Sequence, residues 1–119
     1  MNIEDFRTYC LSKKGVSEDF PFDESTLVFK VDGKIFALTG LDNPEFKVNL
    51  KCDPEWAIEL RETYNAIQPG YHMSKKHWNT VHFENNLPDT FLYQLIDHSY
   101  DCVVKTLSKK ERENLFLGE

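Results

Sequence analysis

The sequence predicts an α+β fold, an antiparallel sheet with helices packed on one face. Short segments of alternating apolar and polar residues cluster between residues 26 and 51, an Asp-Gly pair joins two of them, and helical periodicity flanks the cluster on both sides. The element order α-βββ-α-β-α-α, with hairpin pairing in the strand cluster, is typical of this class. At 119 residues the chain has the length of a single domain, which we expect to cover residues 1–119.

The first predicted element is an amphipathic helix over residues 2–14. Asn2 is a residue type that caps helices, and Ile3, Phe6 and Cys10 recur at helical spacing on one face. Gly15 follows a basic last turn, which is the usual chemistry of a helix end.

Three strands are predicted next, over residues 26–31, 34–38 and 46–51. The Asp32-Gly33 pair between the first two predicts a tight hairpin, because a type I′ turn needs positive φ at both central positions. The third strand alternates cleanly, so its apolar side chains and its lysines are expected on opposite faces of the sheet.

The second half of the chain predicts a helix, a strand and two more helices. Asp53 caps the first of these helices and is followed by a proline, which suits a first turn. Residues 66–76 are expected to form a loop, and residues 78–83 a fourth strand. Pro88 opens a long helix, and Ser108–Glu111 fits a capping box before a short terminal helix.

Composition restricts the partners and the compartment. The formal net charge is −6, and an acidic chain is repelled by nucleic acid at long range, so any nucleic-acid role must rest on a local basic face. The three cysteines are widely spaced, without a C-x-x-C pair, which is typical of reduced thiols. Because we find no signal-peptide pattern and no apolar stretch of about 20 residues, we expect a cytoplasmic protein without membrane contact.

The sequence lacks the motifs of catalysis and cofactor binding, such as a Walker loop, G-x-G-x-x-G, G-x-S-x-G or H-E-x-x-H. His72, His77 and His82 are spaced by five, which on a strand places neighbours on opposite faces, so we predict no metal site. A Cys–His nucleophilic pair stays open, because such partners are distant in sequence. Cys10 and Cys102, however, lie on predicted apolar helix faces, where a buried side chain is expected. We therefore predict a non-catalytic protein without a cofactor.

The segment 69–78, Pro-Gly-Tyr-His-Met-Ser-Lys-Lys-His-Trp, combines aromatic and basic residues behind a turn. One hypothesis is that basic residues contact the phosphates of a nucleic acid. They are Lys75, Lys76 and His77, extended by Lys34, Lys47 and Lys51. The alternative is a ligand site at Tyr71, His72 and Trp78. For Trp78 we also expect a structural role, mostly buried and anchoring the segment to the helical layer.

Several stretches resemble the MmcQ/YjbR family of small bacterial proteins. The resemblance rests on the segment 69–78, on Leu95–Asp101 followed by Val103-Val104, on Phe20-Pro21-Phe22, and on the strand residues from Phe29 to Leu38. It spans nearly the whole chain in order. It implies the double-wing arrangement described for that family, and a DNA-binding function.

The leading hypothesis is therefore a non-catalytic DNA-binding module, with the Asp32-Gly33 hairpin and the segment around Lys75–Trp78 on either side of the nucleic-acid backbone. Few phosphate contacts are available, so weak binding is expected. The alternative is a protein- or small-ligand-binding domain that uses the aromatic loop 69–78 and no nucleic acid. A continuous basic stripe would favour the first, and an apolar pocket beside Tyr71 and His72 the second. Buried, hydrogen-bonded Cys, His and Asp neighbours would favour an enzyme.

Overall fold

A computed structural model describes residues 1–117, which form a six-stranded antiparallel sheet and four helices. The elements in chain order are α1 Ile3–Leu11, β1 Val16–Asp19, β2 Thr26–Val31, β3 Lys34–Gly40, β4 Lys47–Lys51, α2 Pro54–Thr63, β5 Ile67–Pro69, β6 Trp78–His82, α3 Asp89–Val104 and α4 Lys109–Leu117. The spatial order of the strands is β1-β2-β3-β4-β6-β5. In the described part of the chain, each helix is too short or too polar to cross a bilayer.

The predicted hairpin is confirmed at the turn between β2 and β3. Asp32 and Gly33 have φ angles of 50° and 79°, and Val31 lies opposite Lys34. Two positive φ angles in a two-residue connection are the signature of a type I′ turn, whose twist matches that of the flanking strands.

The predicted helix caps are confirmed as well. The side chains of Asn2 and Asp53 each accept a backbone N–H from the first turn of their helix, at 2.7 and 3.2 Å. Ser108 and Glu111 form a reciprocal capping box, with the two N–H···O distances at 2.9 and 3.1 Å. These bonds satisfy donors that a helix start leaves without intrahelical partners.

Two strands were not predicted, and one predicted helix is shorter than expected. β1 was overlooked. In the segment 66–76 the predicted loop is present from residue 70 onward, but residues 67–69 form β5. Both are short edge strands with few apolar residues, so their sequences carry little strand signal. The helix expected over residues 2–14 ends at Leu11, ahead of Gly15 with its φ of 71°.

The helical layer packs on one face of the sheet through aromatic rings. Phe6 of α1 is fully buried, and its ring meets those of Phe29, Phe46 and Phe83 edge-on at centroid distances of 5.4, 5.8 and 5.5 Å. Such edge-to-face pairs add to the stabilisation from burial alone.

A buried serine seats α3 on the sheet. Ser99 donates from Oγ to the carbonyl of Phe36 at 2.5 Å and accepts the N–H of Lys51 at 2.8 Å. It thus joins β3 and β4 where their ladder, which runs to Ala37 and Leu50, has ended. Two backbone groups that burial would leave without partners are satisfied in this way.

The opposite side of the sheet, which we call the open face, carries a different set of residues. Strand alternation turns Leu50 and Val81 toward the helices and Leu38, Asn49 and Thr80 away from them. The last three are cross-strand neighbours on β3, β4 and β6. They form the floor of the site described next.

Candidate ligand site on the open face of the sheet

A pocket of about 410 Å³ lies on the open face. Leu38, Asn49 and Thr80 contribute to its lining as the floor. One wall is the segment 71–73, which we call the loop wall, and Phe22 lies on another side. We call this cavity the open-face pocket.

The backbone of Tyr71 is held directly onto the floor. Its N–H donates to Thr80 Oγ1 at 2.9 Å, and its carbonyl accepts Asn49 Nδ2 at 3.2 Å. The Thr80 hydroxyl in turn donates to Asn49 Oδ1 at 2.5 Å. This closed triangle of bonds fixes where the loop wall starts.

A second set of contacts joins the backbone of residues 70–78 to the side chains of Lys75 and of Arg61 on α2. Lys75 Nζ donates to the carbonyl of Gly70 at 3.0 Å, and the Arg61 guanidinium donates to the carbonyls of Lys75 and Trp78. Arg61 also donates to Asn79 Oδ1 at 2.6 Å. Gly70 approaches β6 so closely that a Cβ there would lie 2.7 Å from Trp78 Cβ. The loop wall is therefore tied to α2 and β6 by the protein's own contacts.

The basic residues predicted to contact phosphate do not line the pocket, with the exception of Lys47. By strand register, one end of the sheet carries five of them, namely Lys34, Lys51, Lys75, Lys76 and His77. Lys76 and His77 are exposed. Lys34 Nζ lies 3.5 Å from Thr106 Oγ1. Lys47 lies at the opposite end, opposite His82 in the ladder.

The prediction that Trp78 anchors the segment to the helical layer was wrong. Trp78 lies opposite Lys51 on the open face and has intermediate burial, while Asn79 and Val81 face the helices. Strand alternation decides this, because the register of β6 against β4 turns its odd-numbered neighbours inward and Trp78 outward. The backbone of Trp78 lies directly beside Gly70, whose N–H donates to the Trp78 carbonyl at 2.8 Å.

Two of the three residues of the alternative ligand site line the open-face pocket. Tyr71 is 67% exposed, and its ring lies 4.0 Å from the ring of His72 between centroids. His72 adopts a φ of 58°, which turns the chain sharply at this point. Met73 completes the wall, and no sequence pattern had singled it out.

A Cys–His pair also occurs, away from the pocket, on α3. Cys102 Sγ lies 3.4 Å from His98 Nε2, which accepts the N–H of Asp53 at 3.0 Å. Burial lowers the pKa of His98 and raises the pKa of Cys102. A neutral thiol beside a neutral imidazole is the reverse of an activated nucleophile. The i, i+4 spacing of the two residues on a helix was the signal that could have revealed them.

The cysteines are free thiols. Cys10 is fully buried, as predicted, whereas Cys102 is only partly buried, which the prediction of a buried role did not anticipate. Within residues 1–117, no three His, Cys, Asp or Glu side chains are grouped as a metal site requires.

Comparison with known proteins identifies the family. The sequence model of the YjbR family matches residues 11–102. The chain is 33% identical over 115 residues to the uncharacterized protein YjbR of Escherichia coli K12, covering 97% of this chain and 98% of that one. It is 36% identical over 99 residues to the uncharacterized protein YbdF of Escherichia coli O157:H7, covering 83% and 81%. The crystal structure of Deinococcus radiodurans protein DR2400, family-model domain DUF419, superimposes with a TM-score of 0.91 at 39% identity over 96% of this chain and 87% of that one. The chain therefore belongs to the YjbR family.

Proposed function

We propose that this protein is a non-catalytic binding domain whose ligand is a small molecule in the open-face pocket. The observation that carries the proposal is the cavity of about 410 Å³ beside Tyr71 and His72. Its size lies within the range of small-molecule sites, which combine apolar walls with a few placed polar groups.

The rigidity of the loop wall supports this function. Its backbone is bonded to Asn49 and Thr80, so a ligand need not order it on binding. Binding to a preformed site avoids much of the entropic cost that mobile loops impose.

Exposed aromatic rings provide a further argument. Phe22 and Tyr71 both line the pocket and remain 65% and 67% exposed. A ligand that covers either ring removes apolar surface from water, which is worth about 25 cal/mol per Å².

A fragment screen by ¹H–¹⁵N NMR on the full chain tests the proposal. The library contains neutral, anionic and cationic compounds of one or two rings. We expect fragment-induced shifts concentrated at Leu38, Asn49, Thr80 and residues 71–73. Tyr71→Ala should weaken each hit, and Phe116→Ala, which removes an exposed ring on α4, should not. Hits that map elsewhere, or no hits at all, would refute it.

Nucleic-acid binding is a second candidate, favoured by the clustering of five predicted basic residues at one end of the sheet. The acidic neighbours Asp32 and Glu111 lie close enough to Lys34 to interact with it electrostatically. Lys75 already binds the Gly70 carbonyl. Few phosphate contacts therefore remain, and the affinity should be weak. Fluorescence anisotropy with labelled duplex DNA, single-stranded DNA and RNA at two salt concentrations tests this candidate.

A further inference from the structure

We infer that the ligand of the open-face pocket is an organic anion, a carboxylate on a flat apolar body of one or two rings. This inference rests on the proposed function, since it concerns the same pocket. Its first support is charge. The chain carries twenty Asp and Glu residues, yet none of the residues lining the pocket is acidic, and Lys47 is the one Lys or Arg among them.

Carboxylates lie beside the pocket without lining it. Asp42 Oδ1 would lie 3.6 Å from a Cβ at Gly40, which is a lining residue. Asp23 accepts the N–H groups of Ser25 and Thr26 at 2.9 and 2.7 Å and the Thr26 hydroxyl at 3.1 Å. Glu45 Oε2 lies 4.0 Å from Lys47 Nζ, which is too long for a hydrogen bond, and the Glu45 side chain is 63% exposed. An ion pair of this kind contributes little, so an incoming carboxylate can compete for the ammonium.

The two carboxamides that line the pocket, those of Asn43 and Asn49, keep hydrogen-bond donors for a ligand. Asn43 Oδ1 already accepts the N–H of Glu45 at 2.9 Å, and Asn49 Oδ1 accepts the hydroxyl of Thr80 at 2.5 Å. Each amide nitrogen carries two hydrogens, and Asn49 uses one of them on the carbonyl of Tyr71. The remaining N–H groups match the oxygens of a carboxylate.

The apolar residues define the rest of the ligand. Leu38 lies on the floor, Tyr71 and Met73 belong to the loop wall, and Phe22 lies on another side. Aromatic faces and a thioether favour a flat ring over a branched aliphatic group. A cavity of about 410 Å³ holds one or two fused rings with a short acidic side chain.

Three matched probes test the inference on the full chain: 1-naphthaleneacetate, its neutral amide 1-naphthaleneacetamide, and the cation 2-(1-naphthyl)ethylamine. By isothermal titration we expect the acetate to bind at least about fivefold tighter than the amide, as one ion pair allows, and the amine to bind most weakly. Lys47→Met should remove the preference for the acetate over the amide.

Two further variants sharpen the result. Glu45→Gln removes the competing carboxylate and should tighten acetate binding, whereas Lys76→Met, at the other end of the sheet, should change nothing. Equal affinity for acetate and amide, with NMR shifts in the pocket, would overturn the anion inference and leave the proposed function standing. Library fragments that bind there while all three probes fail would also overturn it. Failure of every probe and every fragment would refute the proposed function itself.

Discussion

The two faces of the sheet are built from the same strands but differ in burial and in chemistry. On the helix-covered face, rings such as those of Phe6 and Phe29 are fully buried and pack edge-on. On the open face, Asn49 and Thr80 bond to each other and to the backbone of Tyr71, beneath a cavity. Alternation along single strands thus separates a packed face from a face that carries a cavity. Substitutions on the packed face should therefore change mainly the free energy of unfolding, and under the proposed function those on the open face should also change ligand affinity.

The largest expected effect is at Phe6. Phe6→Ala should lower the free energy of unfolding by about 3–5 kcal/mol, because it empties the centre of an aromatic cluster. Urea denaturation followed by circular dichroism measures the loss. Phe22→Ala, on an exposed ring, should cost less than about 0.5 kcal/mol. Equal costs for the two variants would contradict the assignment of the two faces.

The next effect concerns the loop wall. Gly70→Ala should lower the free energy of unfolding by about 1–3 kcal/mol, because the new Cβ would lie 2.7 Å from Trp78 Cβ and 2.9 Å from the Trp78 carbonyl oxygen. The displaced loop wall should also abolish fragment binding. Gly33→Ala is the matched control, since nothing lies within 4 Å of a Cβ there. Gly33→Ala should lower the free energy of unfolding by about 1 kcal/mol, because alanine is strained at a positive φ, and it should leave fragment binding intact. If Gly70→Ala binds the fragments as well as the unmodified chain does, the loop wall is not part of the ligand site.

A smaller effect is expected at the floor of the pocket. Thr80→Val deletes the hydroxyl that accepts the N–H of Tyr71 and donates to Asn49. This variant should lower the free energy of unfolding by about 1–2 kcal/mol. The amide proton of Tyr71 should also exchange faster with solvent, because it loses its acceptor, and NMR measures that rate. Thr63→Val, at the exposed end of α2, should leave that exchange rate unaltered.

The smallest effect concerns the sheet end that carries the basic residues. With about two to four phosphate contacts, the logarithm of the DNA affinity should fall with the logarithm of salt concentration at a slope of about −2 to −4. Lys76→Glu should flatten the slope by about one, and Lys47→Met, at the other end, should not. Lys75 is left in place because its ammonium holds the Gly70 carbonyl. Absence of binding at low salt would exclude this candidate.

Local chemistry explains which elements could be predicted from the sequence. The Asp32-Gly33 turn and the caps at Asn2 and Asp53 depend on side chains within a few residues, so the sequence alone determines them. β1 depends instead on its partner, since Val-Ser-Glu-Asp acquires strand structure only by pairing with β2. β5 depends in the same way on β6.

The site was harder to predict than the fold. Tyr71 and His72 were among the expected ligand residues, but the floor of the pocket comes from strands distant in sequence, at positions 38, 49 and 80. Only the cross-strand register brings these three together. The same register moved Trp78 to the open face, which single-residue propensity could not reveal.

The two edges of the sheet bear on how the protein behaves when concentrated. β5 has three residues and ends in Pro69, which has no N–H to offer a neighbouring molecule. β1 has four residues, two of them the acids Glu18 and Asp19. Short, charged or proline-bearing edges resist the strand-to-strand stacking that leads to aggregation. We therefore expect the protein to stay dispersed at the millimolar concentrations that crystallisation and NMR require.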